Sequence, residues 1–395
     1  MRILYTAMKY DYGRPEQGYG FEHHNFYDSL VHMGHDIVYF DYMTLAQKHG
    51  REWMNRRLLE AVRSEQPELM MAVLFKDEFD PAVLRQVKER TTTLNWFCDD
   101  HWRFDDFSRH WASCFTWVVT TALSALPKYA ALGFDHVIKS QWGCNHYSYR
   151  KPELPMQYDV TFVGQPHGNR PQVIEAIRKA GIRVRVWGSG WESGRVSQEE
   201  LIRIFSRSRV NLNLANASIP ANTAGENDVP APTKRTRSRI SRLLDMIPLG
   251  SRVKSRGKAW LKQSNSPEIA RAASEPCRTV GLSYSEQIKG RNFEVPGCGG
   301  FLLTGRADNL DQYYDDGTEV VTFDHLDDLI AKIRYYLKHE DERAAIARAG
   351  YDRTMREHTY AHRFQDIFRK MGLPVSASNI RMSLEVRPGR TQEVG

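Results

Sequence analysis

The sequence predicts an α/β protein of two doubly wound, Rossmann-like domains facing each other across a cleft. Three observations carry this. Strand and helix signals alternate from Arg2 to Ser140 in the manner of a parallel sheet covered by helices. A charged stretch with two prolines, Arg150-Lys-Pro-Glu-Leu-Pro155, then interrupts the pattern, and the alternation restarts at Asp159. A chain of 395 residues is also long for a single core.

The first half, residues 1–150, reads as strands at Arg2–Ala7, Asp36–Phe40, Leu69–Phe75, Thr92–Phe97, Phe115–Thr120 and His136–Ser140. Helices are expected at Phe21–Met33, stopped by Gly34, at Pro81–Arg90 and at Ser124–Leu132. The second half, 156–372, reads as strands Asp159–Gly164, Arg183–Trp187, Val210–Leu214 and Gly300–Thr304. Its helices are expected at Pro171–Ala180, Glu199–Ser208, around Glu286, and at Leu326–Lys338 and Asp341–His358. The tail, 373–395, carries no clear pattern. In such sheets ligands sit beyond the carboxyl ends of the strands, so the loops there are where chemistry is expected.

Composition narrows the function classes. No run of about eighteen apolar residues is present and the first strand lacks the long apolar core of a signal peptide, so a cytoplasmic protein is expected. Five cysteines without Cys-x-x-Cys pairing read as reduced thiols, and Cys144-Asn-His146 has no companion ligand pair nearby, so no metal site is expected. The formal charge of +7 is uneven: residues 231–262 hold ten Lys or Arg against one acid, a surplus of nine that leaves the remainder at −2.

One segment speaks to function. In Ser285-Glu-Gln-Ile-Lys-Gly-Arg-Asn-Phe-Glu294 two acids, Glu286 and Glu294, flank Lys289 and Arg291 at an expected loop-to-helix junction, before Gly-Cys-Gly-Gly300 ends the helix. A helix N-terminus and two cations can hold a diphosphate, and carboxylates accept hydrogen bonds from sugar hydroxyls. By spacing alone, two acids eight positions apart are also what a solvated helix face shows.

The run Lys289-Gly-Arg-Asn-Phe-Glu-Val-Pro-Gly-Cys-Gly-Gly-Phe-Leu-Leu-Thr304 resembles the signature of the CgeB-like glycosyltransferases, a branch of the group 1 glycosyltransferases with the GT-B fold, and is similar to the E-x7-E motif of retaining members. Tyr158–Gly164 with Arg170, Thr322–Leu337 and Glu357–Arg363 resemble other parts of that family in the same order. The resemblance implies that Glu294 holds ribose hydroxyls, that Glu286 lies near the transferred sugar, and that Lys289 and Arg291 offset the diphosphate charge as the glycosidic bond breaks. Such electrostatic stabilisation can replace a metal ion, so metal independence and no cofactor beyond the nucleoside diphosphate sugar donor are expected.

Gly164 and Arg170 bracket a strand-to-helix turn that the residues alone read equally as an ordinary turn; the resemblance favours phosphate binding there. It implies a base contact at Gly188, where a simple glycine turn is the other reading. In the first half, Asp99-Asp100-His101 ends a strand. An acid beside an imidazole can act on a hydroxyl, and the resemblance to retaining relatives, which place a histidine in a comparable loop, makes His101 the acceptor-side candidate with Asp100 as its partner; the alternative is that Asp99 or Asp100 caps the next helix. The resemblance to the GT-B fold implies that the loop after the first strand faces the donor phosphates and the acceptor, which Gly18 and Gly20 suit, whereas His23-His24 reads as a surface pair.

Residues 218–279 read as an insertion, and 231–262 mix apolar and basic residues. Peripheral contact with an anionic membrane and a solvated basic loop both fit; nucleic acid is disfavoured because no aromatic platform accompanies the charge. The expected function is transfer of a hexose from a nucleoside diphosphate sugar to a glycan, lipid-linked saccharide or small-molecule hydroxyl, with retention favoured. The other readings are a GT-B-type sugar-nucleotide epimerase and a non-catalytic, membrane-associated subunit of polysaccharide assembly.

Overall fold

β1 (Arg2–Thr6) runs through the middle of a parallel sheet, paired with β2 (Asp36–Phe40) on one side and β3 (Leu69–Ala72) on the other. The computed structural model describes residues 1–214 and 287–375 and the backbone of Gln392–Glu393; these belong to one compact unit. Glu286, the basic insertion, Cys277 and nearly all of the tail beyond Leu373 lie outside the described residues.

The first sheet continues through β4 (Thr92–Phe97), β5 (Trp117–Thr120) and β6 (Val137–Lys139). Its strands are apolar on both faces, as a parallel sheet covered by helices requires. Ile3, Tyr5, Leu94 and Trp96 point to one face; Leu4, Met70, Phe97 and Val118 point to the other. The expected first helix is split into a π turn, His23–Tyr27, and α1 (Asp28–His32). α2 (Tyr42–His49) and α3 (Arg51–Glu65) follow β2, and α4 (Pro81–Lys88) is capped by Asp80, whose side chain accepts from the Ala82 amide at 2.8 Å. α5 (Asp100–Arg103) follows β4, and α6 (Arg109–Trp111) and α7 (Leu126–Ala131) complete this half.

The second sheet holds β7 (Tyr158–Val163), β8 (Val184–Trp187), β9 (Ser208–Asn213), β10 (Leu302–Gly305) and β11 (Val321–Phe323) in the order β11-β10-β9-β7-β8, all parallel. α8 (Arg170–Lys179) and α9 (Gln198–Ser206) cross between its strands. α10 (Arg291–Gly297) starts five residues later than the sequence predicts, so Lys289 precedes the helix and is not in its first turn. Its end follows the prediction: Gly299 at φ +72° lets the Gly300 amide reach the Val295 carbonyl and the Gly299 amide reach Pro296, a Schellman closure.

α11 (Leu326–Lys338) and α12 (Glu340–Glu357) cover the second sheet, and α13 (Tyr360–Lys370) returns to the first half. Tyr360, Phe364, Ile367 and Phe368 recur at helical spacing on the buried face of α13, and Phe364 meets Trp96 and Phe26 at 6.3 and 5.7 Å between ring centres. Phe293 and Val295 of α10 join the same apolar cluster. β12 (Gln392–Glu393) pairs with β2 at the edge of the first sheet, giving the order β12-β2-β1-β3-β4-β5-β6.

In both sheets the strand order reverses beside the first strand. β1 sits between β2 and β3, and β7 between β8 and β9. The crevices past the carboxyl ends of β1 and β7 are therefore the places a ligand enters.

Candidate active site

Arg170 occupies the second of these crevices. It opens α8, and its guanidinium donates from Nε to the Leu214 carbonyl beyond β9 at 2.9 Å and from Nη1 to the Gln165 carbonyl beyond β7 at 2.8 Å. The side chain is buried and lies over the Phe162 ring, so burial, with Arg291 adding to it, pulls its pKa down to about 10. It remains charged at neutral pH. Arg291, from α10, donates to the Val163 carbonyl at the end of β7 at 3.4 Å. Lys289 stands near enough to feel Arg170, and its pKa is lowered by burial against the opposing pull of Asp99. Arg170 and Arg291 thus meet at the carboxyl end of β7, and Lys289 lies within electrostatic reach of Arg170.

Their counter-charges are specific. Arg291 pairs with Glu294 one turn along α10; although burial opposes its charge, Glu294 and Tyr149 raise its pKa. Glu294 is fully buried, and its other oxygen accepts from the Tyr149 hydroxyl at 2.8 Å. The resemblance implies that Glu294 holds ribose hydroxyls; here each of its oxygens has one partner, and each keeps a further lone pair. Lys289 donates to Gln287 at 2.7 Å and pairs with Asp99 at 3.4 Å; Gln287 itself donates to Asp99 at 2.8 Å and to the Cys98 carbonyl at 3.0 Å. Asp99 follows β4 of the first sheet, so this cluster joins the two halves. Below it, Asn213, Asn292 and Thr304 bond to one another at 2.9–3.3 Å and fix the start of α10 against β9 and β10.

The tandem acids divide in a way that corrects the sequence reading. Asp100 is buried, accepts from the Tyr129 hydroxyl at 2.9 Å beside Ser108 and Thr120, and holds α5 against the core; it does not partner His101. Asp99, one residue earlier, is the acid that faces the cleft. Asp99 occupies the position before α5 without capping it, and its carboxylate instead accepts from Gln287 and pairs with Lys289. His101 is half-buried beside Lys289, Asp99, Asp308 and Lys139. Burial and then Lys289 lower its pKa to about 4, and its Nδ1 has no hydrogen-bond partner. A neutral imidazole with an unfilled ring nitrogen stands at the cleft.

Gly164 and Gly188 touch each other. A side-chain carbon on Gly188, at φ +141°, would strike the Gly164 carbonyl, and that carbonyl accepts from Trp191 Nε1 at 2.7 Å. The glycines let two loops cross. Gly18 and Gly20 shape a small hairpin after β1, in which the Asp11 amide donates to the Gly18 carbonyl at 3.0 Å and the Gly20 amide to Lys9 at 2.9 Å. From that hairpin Asp11 pairs with Arg195 of the second half. Two groups were missed from sequence. Asp99 was passed over for its neighbour, and Glu22, in the loop after β1, is half-buried with its pKa pushed up to about 7 by burial and then by Asp11 and Asp99. Among the described residues no group of three or more His, Cys, Asp or Glu is arranged to hold a metal, and no helix is long and apolar enough to cross a membrane.

A sequence profile described as glycosyl transferase-like matches residues 170–232 and 235–369, half of the chain. The chain belongs to that family. The match begins at Arg170 and contains Lys289, Arg291 and Glu294. Among solved structures, this glycosyltransferase is similar to HepE of Anabaena in complex with UDP-glucose, at 10% identity and a TM-score of 0.57, over 94% of this chain and 99% of that one. It is similar to the sucrose-phosphate synthase of Thermosynechococcus elongatus, at 10% identity and a TM-score of 0.56, over 94% and 97%. A weaker likeness to TarM, at 5% identity and a TM-score of 0.44, covers 76% of this chain and about half, 54%, of that one. The fold is GT-B. No curated protein matches the sequence.

Proposed function

We propose that this glycosyltransferase moves a hexose from a nucleoside diphosphate sugar to a hydroxyl acceptor. The observation that carries this is the meeting of Arg170 and Arg291 at the carboxyl end of β7, where the strand order reverses, with Lys289 within electrostatic reach of Arg170. Partly desolvated cations there suit a diphosphate that gains negative charge as the glycosidic bond breaks. Lys289, drawn to Asp99 in the free protein, would turn to the leaving group. Glu294 keeps Arg291 charged and aimed. HepE, of like fold, binds UDP-glucose, which supports a donor of the same chemical class.

The finer features belong to the same proposal. Cationic stabilisation would make departure of the diphosphate independent of a metal ion. Retention rests on the Glu286 to Glu294 spacing, and CgeB-like specificity on the run from Lys289 to Thr304. A lipid-linked acceptor met at an anionic membrane surface through residues 231–262, from the cytoplasmic side, fits their charge.

A thermal-shift comparison with UDP, GDP, ADP, CMP and dTDP tests the donor site, because a ligand that binds only the folded state raises Tm. The expected result is a rise with one nucleotide that disappears in Lys289→Ala and Arg170→Ala, followed by transfer from the corresponding sugar nucleotide. No shift with any nucleotide, or a shift unchanged in both variants, overturns the reading.

A further inference from the structure

The chain leaves the first half through residues 140–155 and returns to it through α13, and the two crossings are tied side by side. The Cys144 amide donates to the His358 carbonyl at 2.9 Å, the Tyr360 amide to the Cys144 carbonyl at 3.0 Å, and Arg363 Nε to the Trp142 carbonyl at 3.1 Å. A side-chain carbon on Gly143 would lie 3.1 Å from the His358 oxygen, so the crossings are almost in contact. Motion of one half against the other passes through this joint.

Five of the fourteen histidines stand on it. His32 ends α1, His35 follows it, His146 lies on the outgoing crossing, and His358 and His362 lie on the returning one. The Tyr147 ring meets His32 at 4.6 Å and His146 at 4.0 Å between ring centres, and His35 meets Phe368 of α13 edge-on at 5.5 Å. His362 Nδ1 shares a hydrogen bond with Thr359 Oγ1 at 2.7 Å, while His146 Nδ1 has no hydrogen-bond partner. Asp28 accepts from Asn145 at 2.6 Å and from Ser148 at 2.7 Å, which fastens the outgoing crossing to α1.

The surroundings of four of these rings oppose a further proton. His146 is lowered by burial and then by His362 and His32, and His35 by burial and then by the Met1 amino group against Glu68, each to about 4. His358 is brought to about 4 by burial, then by Arg363 and Arg353, despite its bond to the Tyr313 carbonyl. Burial and Arg363 lower His362 against Glu357. His32 is the exception, raised by its bond to Asp28 against burial and Arg150. Asp28 itself, although burial opposes its charge, is held at about 2 by bonds from His32, Ser148 and Asn145 and stays ionised.

We propose that this joint is acid-sensitive: as pH falls from 7 to 5, α13 and the 143–149 crossing come away from the first half more often than the sheets open, and the halves gain freedom to move against each other. An imidazole that titrates near 4 in the closed joint and near 6.5 once released shifts the opening about twentyfold over this range, because the released ring binds the proton and the closed one does not. His32 acts in the opposite sense, since the closed joint keeps its proton. Among the described residues three of the four histidines held near 4 stand here, the fourth being His101. Glu22, Glu78 and Asp100, whose raised pKa acts the other way, lie elsewhere in the first half. Acid therefore weakens the joint more than it weakens the sheets, with no donor or acceptor required.

Hydrogen exchange read by mass spectrometry tests this on the full chain at pH 7 and pH 5, with rates scaled to intrinsic exchange at each pH. Amides of 143–149 and 361–371 are expected to lose at least about tenfold more protection than those of β1, β4 and β9. In His35→Gln and in His146→Gln the joint's own loss should shrink by about 10- to 20-fold, whatever those substitutions do to protection at pH 7. A loss in the joint equal to or smaller than that in the strands is acid unfolding of the whole chain and overturns the proposal. So does a pH dependence of the joint that is the same in wild type and both variants.

Discussion

Lys289 Nζ lies 3.4 Å from the carboxylate of Asp99, and this contact joins the loop after β4 to the segment that opens α10. Both side chains are about one quarter exposed, so the pair is neither a dry core bridge nor a freely hydrated one. Such a pair can be exchanged: a diphosphate entering beside Lys289 would compete with Asp99 for the ammonium, coupling the donor site to a residue of the opposite half.

Asp99→Asn is therefore expected to tighten binding of the cognate nucleoside diphosphate by a few-fold, while Lys289→Ala weakens it by about 10- to 100-fold, the range for a charge-assisted contact with phosphate. Isothermal titration of both variants measures this. Equal affinity in wild type and Lys289→Ala would show that the ammonium does not contact the nucleotide.

Tyr149→Phe removes one of the two partners of the fully buried Glu294. A loss of about 1–3 kcal/mol is expected, since a buried charged acceptor gives up a hydrogen bond. Glu294→Gln should cost as much or more, because Arg291 then loses its counter-charge. Urea midpoints with unchanged slopes would confirm that both effects are on stability.

Gly188→Ala should destabilise by about 2–4 kcal/mol, because the new carbon meets the Gly164 carbonyl at a backbone angle unsuited to alanine. Gly18→Ala, also at positive φ but with open space around it, should cost about 1 kcal/mol. Thermal melts of the two variants separate the clash from the backbone preference.

Stability should fall on acidification. Burial lowers the pKa of His35, His101, His146 and His358 to about 4 each. His358 shows why: Nε2 bonds to the Tyr313 carbonyl at 2.7 Å, and Nδ1 faces the Arg363 guanidinium at 3.3 Å, so a second ring proton would point at a cation. Unfolded histidines titrate near 6.5, so between about 6.5 and 4 the unfolded chain binds more protons and stability is lost as pH falls. Glu22, raised to about 7, acts in the opposite sense between about 4.5 and 7, as do Glu78 and Asp100, raised by burial, and His32, raised by Asp28, while His24 and His362, lowered by burial, add to the four. A net loss of several kcal/mol is expected across that window, read from urea unfolding at stepped pH. A flat profile would contradict the neutral-histidine assignment.

Much of this molecule can be read along the chain. Thr92–Phe97 is a strand at its predicted limits and Leu326–Lys338 a helix at its predicted limits, because apolar period and capping chemistry are local. α2 and α3 went unassigned although Leu45, Leu58 and Val62 mark their buried faces. Gly290, just before α10, packs so closely on Phe21 that an added carbon would lie 2.9 Å from that ring, a contact the order of residues does not show.

The sequence by itself determined two parallel-sheet halves, the loops that would carry chemistry, and the residue types Arg170, Lys289, Arg291 and Glu294 that suit a sugar nucleotide. These follow from periodicity, glycine placement and charge, which need no partner to be recognised. Only the tertiary structure decided which groups meet. It turned Asp100 into the core and left Asp99 on the cleft, enclosed Glu294 between Tyr149 and Arg291, and set Glu22 beside two other carboxylates. Burial and charge proximity come here mostly from contacts between segments 29 to 190 residues apart, and the sequence order of those segments does not contain them.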